Sequence, residues 1–119
     1  MKGERIMPFI DSKITLKVSD EKKENIKKAL GEAVSILHKS ENFLMVGIND
    51  EYDLYMAGEK LDKGAYVEVS LFGSASSADY SKMTGAICDI LSKELDIPGG
   101  KVYVTYHGLS DWGWNGQNF

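Results

Sequence analysis

Pro8, which directly follows Met7, is the residue whose position in this sequence most strongly suggests chemistry. If the mature protein starts at Met1, the Pro8 nitrogen is an amide and has no basic lone pair. If it starts at Met7 and Met7 is removed, Pro8 carries a free secondary amine, and an α-amino group has a pKa of about 7.7–8.0, close to neutral pH. Taken alone, Pro8 is better explained as a proline at the start of an edge strand.

We expect residues 1–7 to be an extension or a misassigned start. Lys2, Gly3 and Glu4 can be encoded by a purine-rich stretch that matches a bacterial ribosome-binding sequence, placed a few nucleotides before the Met7 codon. Proline is small enough for methionine aminopeptidase to remove a preceding methionine. The interpretation therefore predicts a bacterial source and a mature N-terminus at Pro8.

Lys39, at the end of the first predicted helix, is a candidate electrostatic partner for such a base. A cation at the rim of a pocket binds a carboxylate and stabilises negative charge that develops on oxygen. A lysine at this place also interacts favourably with the negative end of the helix dipole, which applies to many lysines. The residue alone leaves both interpretations open.

No spacing of histidine, cysteine or carboxylate residues indicates a metal site. His38 and His107 are expected to be solvated or locally hydrogen-bonded, and Cys88, the one cysteine, is expected to be a small buried hydrophobe in a helix. We therefore expect neither metal nor cofactor.

The length and composition indicate one ordinary globular domain. The 119 residues carry a formal net charge of −4, which gives no electrostatic footprint for nucleic acid or anionic lipid. No run approaches the roughly 20 apolar residues of a membrane span, and MKGERIM lacks the apolar core of a signal peptide. We expect a cytoplasmic location, or export without a signal peptide.

Two similar stretches of predicted structure follow Pro8. FIDSKITLKV alternates as a strand, SDEKKENIKKALGEAVSILHK has helical periodicity with a cap at Ser19 or Asp20, FLMVGIND is a short strand, and EYDLYMAGEKLDKG is an exposed loop. AYVEVSLFG, SASSADYSKMTGAICDILSKEL and KVYVTYHG then repeat strand, helix and strand. Pro98 and the glycines after it end the second helix.

This order predicts an α+β fold with two tandem βαβ units, a four-stranded sheet and both helices on one face, in a split βαβ, ferredoxin-like arrangement. The apolar strands FLMVGI and AYVEVSLF indicate that a partner subunit covers the other face, which favours a closed homo-oligomer. The tail LSDWGWNGQNF is interpreted as a hairpin docking on a neighbour, ahead of a second interpretation as the aromatic wall of a ligand pocket.

Met-Pro before the first strand, a lysine at the end of the first helix and the tail DWGWNGQNF together resemble the macrophage migration inhibitory factor family of the tautomerase superfamily. SLFG and KVYVTY are similar to two further strand ends of that family. The resemblance covers residues 7–119. It implies that residues 8–119 form a single domain of this family. It implies a homotrimer whose sheets enclose a central channel and whose pockets lie between neighbouring chains.

The resemblance also implies an activity: cofactor-free keto–enol tautomerisation of small aromatic keto or enol acids, such as phenylpyruvate or dopachrome derivatives. In that interpretation Pro8 is the base and Lys39 its electrostatic partner, and Tyr103 reaches a neighbouring chain's pocket. The substrate-binding residues that it implies are Phe9, Phe43, Phe72, Tyr103, Thr105, Trp112, Trp114 and Phe119.

Two departures from the family pattern limit the transfer. Thr105 replaces an asparagine that orients an aromatic substrate's hydroxyl group, and AYVE replaces the CxxC of a proposed thiol oxidoreductase activity, so no such activity is expected. The alternative function is a cytokine-like, protein-binding trimer that engages a receptor or host protein while catalysis is vestigial or blocked.

Overall fold

The computed structural model describes residues 8–118, and the first βαβ unit follows its sequence pattern closely. Strand β1 runs from Phe9 to Ile14, helix α1 from Asp20 to Ala33 and strand β2 from Met45 to Asn49. Ser19 is the N-cap of α1, and its hydroxyl accepts a hydrogen bond from the backbone N–H of Lys22. A 3-10 helix, Val34–Leu37, extends α1 and ends where His38 adopts a left-handed conformation.

The connection after β2 contains a small hairpin rather than only an exposed loop. Strands β3 (Tyr55–Met56) and β4 (Glu59–Lys60) pair across a turn at Ala57 and Gly58, which both have positive φ angles. This turn needs two left-handed residues in succession, and the Ala-Gly pair does not carry the Asn-Gly or Asp-Gly signal that marks such turns in a sequence.

The second βαβ unit repeats the first with longer elements. Strand β5 runs from Ala65 to Phe72, helix α2 from Ser77 to Leu95 and strand β6 from Val102 to Leu109. Ser76 caps α2 by accepting a hydrogen bond from the N–H of Asp79. A last hairpin joins β7 (Gly113–Trp114) to β8 (Gln117–Asn118) through Asn115 and Gly116, which confirms the hairpin predicted for the tail.

The four long strands form one mixed sheet in the order β2-β1-β5-β6. Strands β1 and β2 are parallel, β5 and β6 are parallel, and the antiparallel pair of β1 and β5 joins the two units. The α+β class, the four-stranded sheet and the two helices are as predicted. The order refines the split βαβ description in one respect, because the parallel strands of each unit lie side by side with no strand between them.

The core lies between the sheet and the two helices. Alternate residues of β1 and β5, beginning with Ile10 and Val67, are buried against Ile26 of α1 and Ile87 of α2. Their alternation has the period of two that places every second strand residue on one face. No helix within residues 8–118 is long and apolar enough to cross a membrane.

The opposite face of the sheet carries both apolar and polar side chains. Phe9, Met45 and Tyr103 lie on it, and so does an ion-paired cluster around Lys13. Lys13 Nζ lies 3.1 Å from Asp11 Oδ2 and 3.3 Å from Glu68 Oε1. The hydrogen bond that Lys13 donates to Asp11 is the largest cause that raises the pKa of Lys13. In AYVEVSLF, Ala65, Val67, Val69 and Leu71 turn towards the helices, and the opposite face of the strand carries Tyr66, Glu68, Ser70 and Phe72.

Candidate active site

Pro8 is buried at the start of β1, next to the middle of the sheet. Its carbonyl oxygen accepts a hydrogen bond from the backbone N–H of Met45, with 3.0 Å between the two atoms. The parallel pairing of β1 with β2 produces this contact, because Phe9 is in register with Met45. Both backbone and burial therefore hold Pro8 in place.

A cleft of about 520 Å³ opens beside Pro8, and most of its lining is apolar. Its size falls in the range of about 300–1,000 Å³ that is common for small-molecule sites. The cleft is lined by Pro8, Phe9, Phe43, Met45, Ser70, Leu109, Asp111, Trp112, Gly113 and Trp114. The structure therefore brings together five of the ten residues that the resemblance implied: Pro8, Phe9, Phe43, Trp112 and Trp114.

Two short elements bring the aromatic walls to the cleft from distant parts of the sequence. Phe43 ends a 3-10 helix, Glu41–Phe43, whose start is capped by the Ser40 hydroxyl through the N–H of Asn42. Trp114 lies on β7 of the last hairpin. The rings of Phe43 and Trp114 meet edge-to-face, with 5.9 Å between their centroids.

Lys39 is half-buried and is not among the residues that line the cleft in this chain. Burial lowers the pKa of its ammonium group below the ordinary value of 10.5. Within residues 8–118 no carboxylate forms an ion pair with it. Its backbone N–H lies 3.4 Å from the Val34 carbonyl oxygen at the end of the 3-10 helix. The side chain is therefore a partly desolvated cation without an internal counter-ion in the described chain.

The turn before Lys39 is tied to the second helix. The Nε2 atom of His38 lies 3.0 Å from Oδ2 of Asp79, in the first turn of α2. His107 contacts Thr105 at 3.1 Å and lies 3.8 Å from Glu68. Both histidines therefore have local partners, as predicted. Within the described part of the chain, no group of three or more histidine, cysteine or acidic residues could hold a metal ion.

Tyr103, Thr105 and Phe72 do not line the cleft of their own chain. Tyr103 precedes His107, the residue in register with Ser70 of the cleft, by four strand positions, which is about 13 Å along β6. Its side chain is 64% exposed, whereas Thr105 is hydrogen-bonded to Tyr66 and His107. Phe72 is half-buried at the end of β5. Phe119 lies outside the described residues.

The cleft also contains residues that the sequence analysis did not select: Met45, Ser70, Leu109, Asp111 and Gly113. Strand alternation could have indicated Ser70, because it lies on the same face as Glu68 and Tyr66 and pairs with Phe9. Asp111 is next to Trp112, but nothing in its local sequence shows that its loop returns to Pro8. Contacts between distant segments of the chain decide which of these residues line the cleft.

A family model described as macrophage migration inhibitory factor matches residues 7–119. The chain belongs to the macrophage migration inhibitory factor family. The match begins at the methionine that precedes Pro8 and includes every residue of the cleft.

The relatives of this family member differ in how much of the chain they share. Macrophage migration inhibitory factor of Xenopus laevis is 34% identical over 64 residues, which is 52% of this chain and 56% of that protein. The match thus spans only about half the length of the curated relatives. The crystal structure of MIF2 from Leishmania major is 32% identical, covers 95% of this chain and 97% of its own, and has a TM-score of 0.88.

Solved structures with lower sequence identity share the same fold. A fused 4-OT protein described as a symmetric trimer has a TM-score of 0.81 at 22% identity, with 92% of this chain and 94% of that chain covered. At that level of identity the similarity concerns the fold alone.

Proposed function

We propose that this protein is a cofactor-free keto–enol tautomerase of small aromatic 2-oxo acids such as phenylpyruvate or dopachrome-like compounds. The observation that carries the proposal is the position of Pro8, buried beside a cleft with aromatic walls. In the active form Met7 has been removed and Pro8 is the N-terminal residue. Membership of the macrophage migration inhibitory factor family supports this assignment.

The reaction moves one proton and requires no other reactant. The free amine of Pro8 takes a proton from the carbon next to the substrate's carbonyl group, and the electron pair of that C–H bond moves towards the carbonyl oxygen. The protonated amine then returns the proton to that oxygen, which produces the enol and restores the base. The reverse sequence converts enol to keto.

Burial suits Pro8 to this task because a desolvated amine favours its uncharged, basic form. The apolar lining from Phe9, Met45 and Leu109 also excludes water from the reacting atoms. The pyrrolidine ring limits the directions in which the lone pair can point. An amide nitrogen in the same place would have none of this basicity.

Lys39 acts as the electrostatic partner of the substrate carboxylate and of the developing enolate. Its half-burial and the lack of an internal carboxylate partner in the described chain leave the ammonium group available to an anion. A partly desolvated charge interacts more strongly than one in bulk water. Lys39 does not line the cleft of the isolated chain. In the proposal, either the bound substrate extends from the cleft to Lys39, or the trimer narrows the cleft so that Lys39 reaches the substrate.

A homotrimer completes this site in the proposal. Strands β2 and β6 are the two edges of the sheet, so each has unpaired backbone groups that another chain can use. Tyr103 on β6 is exposed and lies about 13 Å along the strand from the level of the cleft. It is therefore too far away to line the cleft beside Pro8 in its own chain, and in the proposal it contributes to the cleft of another subunit. The trimeric chain of the same fold supports this arrangement.

The test compares three proteins in the enol-to-keto conversion of phenylpyruvate: a form that begins at Pro8, its Pro8→Gly variant and the full 119-residue chain. Mass spectrometry first verifies each N-terminus. The Pro8 form should be fastest, and the full chain should be slower by about 100-fold or more because loss of a general base removes that much rate. Equal rates for the Pro8 form and the full chain would overturn the assigned base, because the Pro8 nitrogen of the full chain is an amide. Pro8→Gly keeps a free amine and measures what the proline ring adds.

A protein-binding trimer with a cytokine-like role is the second candidate function, and membership of the macrophage migration inhibitory factor family also supports it. If the protein purified from its native source retains Met7, the basic amine does not exist there, and interaction with a receptor or host protein becomes the better explanation. N-terminal mass spectrometry of that native protein distinguishes the two.

A further inference from the structure

Asp111 places a carboxylate in a cleft whose other side chains are mostly apolar or aromatic. It lies two residues beyond the end of β6, in the link to β7, and therefore enters the cleft from a loop rather than from the sheet. Trp112, the next residue, also lines the cleft, so both residues of this dipeptide contribute to the same wall, with Asp111 exposed and Trp112 half-buried.

The carboxylate of Asp111 has no hydrogen bond or ion pair within residues 8–118. The other polar side chain of the cleft belongs to Ser70, which is in register with Phe9, next to Pro8. A serine hydroxyl both donates and accepts hydrogen bonds, whereas an ionised carboxylate only accepts them. The indole N–H groups of Trp112 and Trp114 only donate, so Asp111 is the group of this lining that accepts from a ligand's donor without also donating.

We propose that Asp111 is a specificity-determining residue that accepts a hydrogen bond from a donor on the substrate's aromatic ring, such as a phenolic hydroxyl or an indole N–H. The proposal rests on the proposed tautomerase function for the nature of the substrate. In this proposal the loop that contains Asp111 recognises a ring hydroxyl. Thr105 on β6 does not, because its hydroxyl is hydrogen-bonded to Tyr66 and His107.

The same carboxylate should repel a ligand with an acidic group on the ring. Two negative charges in a partly desolvated cleft disfavour each other more strongly than they do in water. Aromatic 2-oxo acids with a single carboxylate and a donor on the ring thus fit the cleft best, and acids with a second carboxylate fit it worst. Loss of the Asp111 carboxylate should therefore weaken the binding of acids with a ring donor and strengthen the binding of acids with a second carboxylate. A change in packing alone would not shift the two in opposite directions.

Three planar aryl acids that cannot tautomerise serve as probes: cinnamate, 4-hydroxycinnamate and 4-carboxycinnamate. Their dissociation constants are measured by calorimetry with the full 119-residue chain and with the form that begins at Pro8. The variants are Asp111→Ala and Asp111→Asn, with Asp89→Asn on the exposed side of α2 as the matched loss of one carboxylate. Circular dichroism checks that each variant is folded.

The expected result in Asp111→Ala is an about fivefold loss of the preference for 4-hydroxycinnamate over cinnamate, the scale of a partly exposed hydrogen bond to a charged acceptor. Affinity for 4-carboxycinnamate should rise in both Asp111 variants, while Asp89→Asn changes neither ratio. Unchanged ratios in Asp111→Ala would overturn the proposal.

The experiment separates this inference from the tautomerase assignment because binding does not require turnover. If the Pro8 form converts phenylpyruvate but the ratios do not respond to Asp111, the inference is wrong and the function stands. If the ratios respond but the Pro8 form has no activity, the carboxylate recognises ring donors in a binding protein. If none of the three acids binds either form, the inference about Asp111 is wrong, and phenylpyruvate turnover by the Pro8 form still decides the tautomerase assignment.

Discussion

The rings of Phe43 and Trp114 meet edge-to-face, 5.9 Å apart and inclined at 76°. One ring belongs to the short 3-10 helix before β2 and the other to the C-terminal hairpin, so the contact joins two segments that are far apart in the sequence. Both rings line the cleft beside Pro8. The aromatic wall of the candidate site is therefore a product of the folded chain rather than of any one motif.

Replacing Trp114 with alanine should weaken substrate binding more than it weakens the fold. The ring is 49% exposed, so its loss should cost the fold little. A contact between two aromatic rings contributes about 0.5–1.5 kcal/mol, so losing the contact of Trp114 with the substrate ring corresponds to an about two- to tenfold rise in KM for phenylpyruvate. Steady-state kinetics and thermal unfolding of the Pro8 form measure both effects. Tyr55→Ala, which removes an aromatic ring that is 64% exposed and lies outside this cleft, is the control. A large loss of thermal stability with unchanged KM would contradict the assignment.

Lys39 should give ligand binding an alkaline limit. Burial lowers its pKa below 10.5, so the ammonium group that binds a carboxylate is present below that pKa and is lost as pH rises through it. Cinnamate affinity should therefore fall at alkaline pH in the unmodified protein. Arginine stays protonated to about pH 12, so Lys39→Arg should extend binding to higher pH. Lys39→Met should bind weakly throughout.

Calorimetric titrations from neutral to alkaline pH provide this measurement, with circular dichroism at each pH to verify folding. Lys28→Met, which removes an exposed lysine of α1, is the matched control and should leave the alkaline limit in place. An identical pH profile for the unmodified protein and Lys39→Met would show that another group binds the carboxylate.

Cys88 should be an unreactive thiol in the folded protein. Burial, and secondarily the charge of Asp89, raises the pKa of its thiol above the ordinary value of 9.0. The thiolate is the reactive form, so alkylation by iodoacetamide at neutral pH should be slower than that of free cysteine and should accelerate when the protein is unfolded by urea. Mass spectrometry follows the reaction. Alkylation as fast as that of free cysteine would contradict the half-buried position.

Ile10, two residues after Pro8, should be essential for the fold. It is fully buried between the sheet and the helices, and Ile10→Ala should lower the free energy of unfolding by about 2–5 kcal/mol. Met45→Ala on the neighbouring strand should change it by about 0.5 kcal/mol or less, because that side chain is 67% exposed. Urea denaturation compares the two. Similar losses would mean that the two faces of the sheet are wrongly assigned.

Local signals in the sequence predicted the regular elements because those signals act over a few residues. Ser19 and Ser76 satisfy N–H groups within the first turn of their own helices, so caps can be read directly. The sequence analysis did not separate the two faces of β5, because the face opposite the helices combines Glu68 and Ser70 with Tyr66 and Phe72. The Tyr55–Lys60 hairpin was missed because its turn uses Ala57 and Gly58.

The sequence by itself determined the two βαβ units, the helix caps, the C-terminal hairpin and, through the family resemblance, the importance of Pro8. Tertiary structure decided that Met45, Ser70 and Asp111 share a cleft with Pro8 and that Lys39 does not line it in this chain. The physical reason is range: caps and alternation depend on neighbours within one element, whereas the cleft depends on strand register and on loops that meet across the sheet.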